Sequence, residues 1–160
     1  MIISNATPLI AFAKINQLSL LRQIVGELTI PDAVAKEISD YTHNKTGFID
    51  LEQETWINRQ AITAKEQLAL LLPSLDRGEA EVITLALEEK AKLVLIDELT
   101  GRKVAESLNL NVSGSVGILI KAKQLGEIEE VKPFLDAMLK QGIYFSQRFI
   151  DAVLQLMGEA

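Results

Sequence analysis

The stretch "DRGEAEVITLALEEKAKLVLID", residues 76–97, constrains the fold more than any other. Its first part spaces apolar residues at the helical period, with acids in the opening turn and a lysine at the end, as the helix macrodipole favours. Its last part, "KLVLID", is short, apolar and rich in Leu, Val and Ile, which suits a strand buried on both faces. A helix feeding such a strand is half of a parallel crossover unit. The opening "MIISNATPLIAFAKI" supplies the complementary half. A strand of two isoleucines and a serine runs into a helix, for which Thr7 is the expected N-cap and Pro8 the expected first residue.

The remaining segments extend the alternation. "LSLLRQIV" reads as a helix and "ELTI" as a strand closed by Pro31. "PDAVAKEISDY" opens on a helix-starting Pro-Asp, with Val34 and Ile38 on one face. Residues 42–50 are polar and read as a loop, and "WINRQAIT" is a weaker strand candidate. "AKEQLALLLPSL" reads as a helix until Pro73 interrupts it. "ELTGRKVAESL" is a helix, "NVSG" a brief strand or turn, and "VGILIKAKQL", "EEVKPFLDAML" and "SQRFIDAVLQLM" are closing helices. Strands alternating with helices predict an α/β protein, three layers deep, α/β/α, around a central parallel sheet. At 160 residues the chain is expected to be a single domain, residues 1–160, including C-terminal helices from about residue 129.

Composition excludes several chemistries. Cysteine is absent, so no disulfide framework or thiolate metal site can form. His43 is the one histidine, which rules out a multi-histidine zinc site and weakens any serine–histidine–acid reading. It falls in the polar loop and is expected at the surface. No apolar run approaches the length of a membrane span, and the N-terminus lacks a basic start and cleavage site, so a cytoplasmic protein is expected. The net charge of −6 means that any nucleic-acid binding must come from a local basic patch.

Right-handed crossovers bring the C-terminal tips of parallel strands to one edge, where ligands bind in open α/β sheets. Asn5 follows the first strand, Asp97 ends "LVLID", and Glu79 lies in the first turn of the helix leading into that strand. Topology places all three on one rim, where oxygen ligands suit Mg²⁺ or Mn²⁺. Each has a plainer role available: Asn5 as a turn or cap residue, Glu79 as a dipole partner, Asp97 as an N-cap. Glu98 rivals Asp97, and Glu81 rivals Glu79, although Glu81 reads better as a solvated charge deeper in the helix. Arg102 and Lys103, with Lys121 and Lys123 further on, could hold a phosphate backbone or form a solvated helix face.

These residues resemble a family. "IISNATPLIAFAKINQLSLL", "IPDAVAKEI", "LDRGEAEVITLALEEKAKLVLIDELTGRKVAESL" and "VSGSVGILIKAKQLGEI" are similar, in order, to the motifs of PIN domains. The likeness is to the small bacterial and archaeal group described as predicted nucleic-acid-binding proteins, and it covers nearly the whole chain. The resemblance implies a parallel sheet with an acidic pocket for Mg²⁺ or Mn²⁺. It also implies RNA cleavage, often by the toxin of a toxin–antitoxin pair and often as a homodimer. Carried over by position, the metal pocket comprises Asn5, Glu37, Glu79 and Asp97, with Glu37, Glu79 and Asp97 as the catalytic acids and Arg102 and Lys103 against RNA. Glu37 enters through the resemblance alone. The family carries Asp where this chain has Asn5, so the alternative is a weakened PIN module that binds RNA or a protein partner without cutting. A phosphate-handling receiver-type domain is disfavoured, because "SNATP" lacks the acidic pair expected after its first strand.

Overall fold

The computed structural model describes residues 1–42 and 46–160; His43 lies outside the described residues. The elements run β1 (Ile2–Ser4), α1 (Ala6–Lys14), α2 (Leu18–Val25), β2 (Leu28–Ile30), α3 (Asp32–Thr42), β3 (Ile57–Arg59) and α4 (Lys65–Leu71). They continue through α5 (Arg77–Glu89), β4 (Leu93–Leu95), α6 (Leu99–Ser107), β5 (Val112–Ser113), α7 (Ser115–Gln124), α8 (Lys132–Lys140) and α9 (Gln147–Leu156). The strands form one parallel sheet in the order β3-β2-β1-β4-β5, and helices flank it in a three-layer α/β/α arrangement.

The chain leaves β1 toward β2 on one side and later returns to place β4 on the other. The strand order therefore reverses between β1 and β4, the kind of crevice where open parallel sheets bind ligands. Register across that junction is tight. Ile2, Ile3 and Ser4 stand opposite Leu93, Val94 and Leu95, and the Asn5 N–H donates to the Leu95 carbonyl at 2.9 Å. Asn5 and Ile96–Asp97 thus leave the sheet side by side.

Helix α5 is the central helix of the domain. Nine consecutive residues, Gly78 to Ala86, are buried. Such a helix cannot turn one polar face to water, so its polar side chains must be accommodated inside the protein. It ends at Lys90, which adopts a left-handed conformation with φ 51° and donates its N–H to the Ala86 carbonyl.

Helix α1 starts earlier than expected. Its N-cap is Asn5, and Thr7 and Pro8 fall within its first turn. Proline is tolerated there because the first backbone N–H groups of a helix have no intrahelical partner. The weak candidate "WINRQAIT" does carry a strand, β3, paired with β2 at the edge of the sheet.

Lys123 is not free to hold phosphate. Its Nζ donates to the Met157 carbonyl and, at 2.8 Å, to a Glu159 carboxylate oxygen. The backbone N–H groups of Val131 and Lys132 donate to the same carboxylate, both at 2.9 Å. One carboxylate therefore joins α7, the start of α8 and the segment after α9. Burial pushes the Glu159 carboxyl up, but the Lys123 ammonium and the two N–H groups outweigh it and hold the group below its ordinary range. Glu159→Gln is expected to cost about 1–2 kcal/mol at neutral pH. With the folded-state pKa lowered, that contribution is present above the ordinary carboxylate pKa and fades as pH falls through the folded-state value. Urea unfolding of both forms at neutral pH and near pH 3 checks the loss and its disappearance in acid.

Candidate metal centre at the sheet switch point

Asn5 occupies the N-cap position of α1, but its side chain makes no capping hydrogen bond. Its Oδ1 is buried and has no partner among the described residues. Buried amide oxygens normally have partners, so an orphan at a ligand-binding crevice is informative. The turn-or-cap role considered for Asn5 does not describe what its side chain does.

Glu79, in the first turn of α5, is 3% exposed, and its Oε2 is likewise buried and unpartnered. Burial raises the Glu79 carboxyl to about 8, helped by the negative charges of Asp76 and Glu98. Its backbone N–H is satisfied by Asp76 Oδ1 at 2.8 Å, so Asp76 is the N-cap of α5. The dipole-partner account of Glu79 explains its place in the helix but not its isolated oxygen.

Three glycines let these acids approach the backbone. A Cβ on Gly78 would collide with Glu37 Oε1 and stand 3.4 Å from Asn5 Oδ1, so those two oxygens flank one point. A Cβ on Gly101 would stand 2.5 Å from Glu79 Oε2. A Cβ on Gly114 would collide with Asp97 Oδ1 and stand 2.9 Å from an Arg102 Nη atom. The Glu37 side chain is exposed overall, yet partial burial of its carboxyl, and then the Asp76 charge, raise its pKa.

Asp97 does not cap the helix that follows it; Glu98 takes that N-cap position, without a side-chain bond. Instead Asp97 reaches across to α7, accepting from the Ser115 N–H and the Ser115 hydroxyl, both at 2.6 Å. Burial pushes the Asp97 carboxyl up, while the Ser115 bonds and the Arg102 guanidinium oppose the shift. Arg102 is itself held by donation to the Ile96 carbonyl at 3.3 Å. Lys103 is exposed on α6 and does not line the cleft beside the rim. That cleft measures about 1470 Å³ and takes in Glu37, Asp97, Glu98 and Arg102, with Tyr144 and Phe149 on its far wall.

Glu81 proves different from the solvated charge expected. It is 5% exposed and accepts from the Ala33 N–H at 3.0 Å and from Arg77 Nε at 3.0 Å. Its carboxylate ties α5 to the start of α3, so the rival of Glu79 has a structural occupation. Asp76 and Ser115 are contributors that sequence reading missed. Asp76 carried a signal: an Asp followed three residues later by Glu, ahead of an apolar run, marks a helix start. Ser115 carried none, because its role depends on α7 approaching the tip of β4.

Among the described residues, carboxylate oxygens of Asp76, Glu79 and Glu98 all lie within 4.8 Å of one another, close enough to share a cation. A protein-family model described as a PIN domain matches residues 1–159. The chain belongs to the PIN-domain family. Comparison with curated proteins returns no match. The PIN fold is of nuclease type and, as a class, implies nucleic-acid binding and a divalent metal. This PIN domain presents acidic groups suited to such an ion at the switch point of its sheet. No helix among its described residues is long and apolar enough to cross a membrane.

Proposed function

We propose that the protein is a Mg²⁺- or Mn²⁺-dependent ribonuclease in which Asn5, Glu37, Glu79 and Asp97 hold the metal side of the pocket. The observation that carries this reading is the pair of buried, unpartnered oxygens, Asn5 Oδ1 and Glu79 Oε2, on a rim of acids. Oxygen donors without nitrogen or sulfur suit a hard cation. A divalent cation held there supplies Lewis acidity toward a phosphodiester and a hydroxide nucleophile at neutral pH. Glu37, Glu79 and Asp97 orient and charge-balance the site, and Ser115 fixes the Asp97 carboxylate so that both of its oxygens keep one orientation. Arg102, on the cleft wall, attracts the phosphate backbone, and Lys103 adds charge from the same helix. The same reading makes the chain a cytoplasmic homodimer and the toxin of a toxin–antitoxin pair. A dimer by light scattering and a small adjacent antitoxin reading frame are the expected signs.

A second reading rests on Asn5 itself. An amide brings no charge, so the domain could bind RNA or a protein partner without cutting it. Cleavage of single-stranded RNA decides between the two. On the nuclease reading, cutting stops with chelator and drops about 100-fold or more in Asp97→Asn. Replacing Arg102 and Lys103 with glutamine weakens RNA binding and flattens its salt dependence. Cleavage that survives both chelator and Glu79→Gln would sink the assignment.

A further inference from the structure

We propose that Asp76 supplies the carboxylate charge that Asn5 does not, and that it forms the seat of the divalent cation together with Glu79 and Glu98. The inference rests on the metal-dependent reading above and names a ligand set that differs from the one carried over by position.

The geometry favours it in three ways. First, oxygens sharing one hard cation at roughly 2.0–2.6 Å stand no more than about 5 Å apart, and the Asp76, Glu79 and Glu98 oxygens satisfy that limit. Second, Glu79 Oε2 is buried without a partner and points at the first turn of α6, against Gly101, three residues beyond Glu98. A buried carboxylate oxygen left in that state lacks a donor or a cation. Third, Asp76 and Glu98 are the N-cap residues of α5 and α6, so two fixed backbone positions deliver their carboxylates to one place. The Asp76 carboxylate caps Glu79 N–H through Oδ1 and also stands within hydrogen-bonding reach of the Glu79 carboxyl, two acids that a shared cation would hold together.

Asp76 also lies within electrostatic reach of both Glu37 and Glu79. Gly78, two residues further along the chain, is flanked by the Glu37 and Asn5 oxygens. The negative charge missing at position 5 is thereby supplied at the head of the helix that carries Glu79. The chain keeps a full set of acids around the ion while Asn5 contributes a neutral oxygen.

Asp76→Asn separates charge from capping, because Asn and Asp are comparable N-caps. Mn²⁺ binding is measured by calorimetry, with electron paramagnetic resonance counting bound ions, all without RNA. The expected result is a loss of at least ten-fold in Mn²⁺ affinity, with a thermal midpoint in chelator equal to or above that of the parent. Asp76→Ser, which also caps, should behave alike and covers the case in which Asp76→Asn folds poorly. Adding Asn5→Asp to Asp76→Asn returns the charge to position 5 and should recover most of the lost affinity. Affinity within two-fold of the parent in both single variants, while Asp97→Asn loses binding, overturns the inference and leaves the proposed function standing. Failure of the double variant to regain affinity overturns the substitution of Asp76 for position 5. A parent protein that binds no Mn²⁺ at all removes both readings together.

Discussion

In chelator, the domain should lose about 2–3 kcal/mol of stability as pH rises from about 4.5 to about 8, a fall of roughly 5–10 °C in Tm. The cause is Glu79, whose folded-state carboxyl is raised from 4.5 to about 8 by burial and by Asp76 and Glu98. Between those values the folded protein holds a proton that the unfolded chain has released, so raising pH favours unfolding across that window and not beyond it. The magnitude is set below the full shift because part of it comes from the Asp76 and Glu98 charges, which lie on exposed residues where solvent screens them. Glu37 and Asp97, also raised, tilt the curve in the same direction. Glu79→Gln should flatten most of the slope, because an amide has no proton to lose. Mn²⁺ should flatten it too: the ion takes the place of the proton, and its affinity should climb with pH as binding releases one. Differential scanning fluorimetry across pH, with chelator and with Mn²⁺, tests each arm. A parent whose midpoint rises steadily from pH 5 to pH 8 in chelator would contradict the account.

Asn5→Asp should lower stability by about 2–3 kcal/mol in chelator. The two side chains are nearly isosteric, and Asn5 is 6% exposed, so packing changes little and electrostatics dominates. The new carboxylate would face Glu37 Oε1 across the space that Gly78 leaves open. With saturating Mn²⁺ the order should narrow or reverse, since an ion that binds only the folded state stabilises it by mass action. Cleavage should rise alongside. A destabilisation of equal size with and without Mn²⁺ would reject the idea that position 5 belongs to a cation site, and would favour the module that binds without cutting.

What the sequence disclosed follows from the range of the forces involved. The residues that make β4 and α5 carry their signal locally: a continuous apolar run and a helical period, each legible within about a dozen positions. The rim residues Asn5, Glu79 and Asp97 were legible because parallel topology alone brings strand tips and helix starts to one edge. The start of α1 was misplaced because Thr7-Pro8 is an equally good helix opening two residues later, and only the pairing of Asn5 N–H with Leu95 selects the earlier one. Glu81 reads as a solvated charge in sequence because nothing within α5 discloses that the start of α3 lies against it, offering the Ala33 N–H. Ser115 was invisible for the same reason. Asp76 stood in plain view as a helix start, but its proximity to Glu98 depends on how α5 and α6 converge, which no local pattern encodes.

The nine-residue buried run of α5 has a dynamic consequence. Amides along Ala80–Ala86 are hydrogen-bonded within a buried helix, so their deuterium uptake should require opening of the whole domain, and they should exchange last. Helix α9, whose inner face alone is buried at Ile150, Val153 and Leu154, should exchange much sooner. The acid Glu79 therefore rides on the slowest-opening part of the molecule. The far wall of the neighbouring cleft, where Phe149 and Leu156 lie, belongs to one of the fastest. Whatever enters that cleft meets a yielding side, while the helix behind the acids Asp97 and Glu98 stays closed.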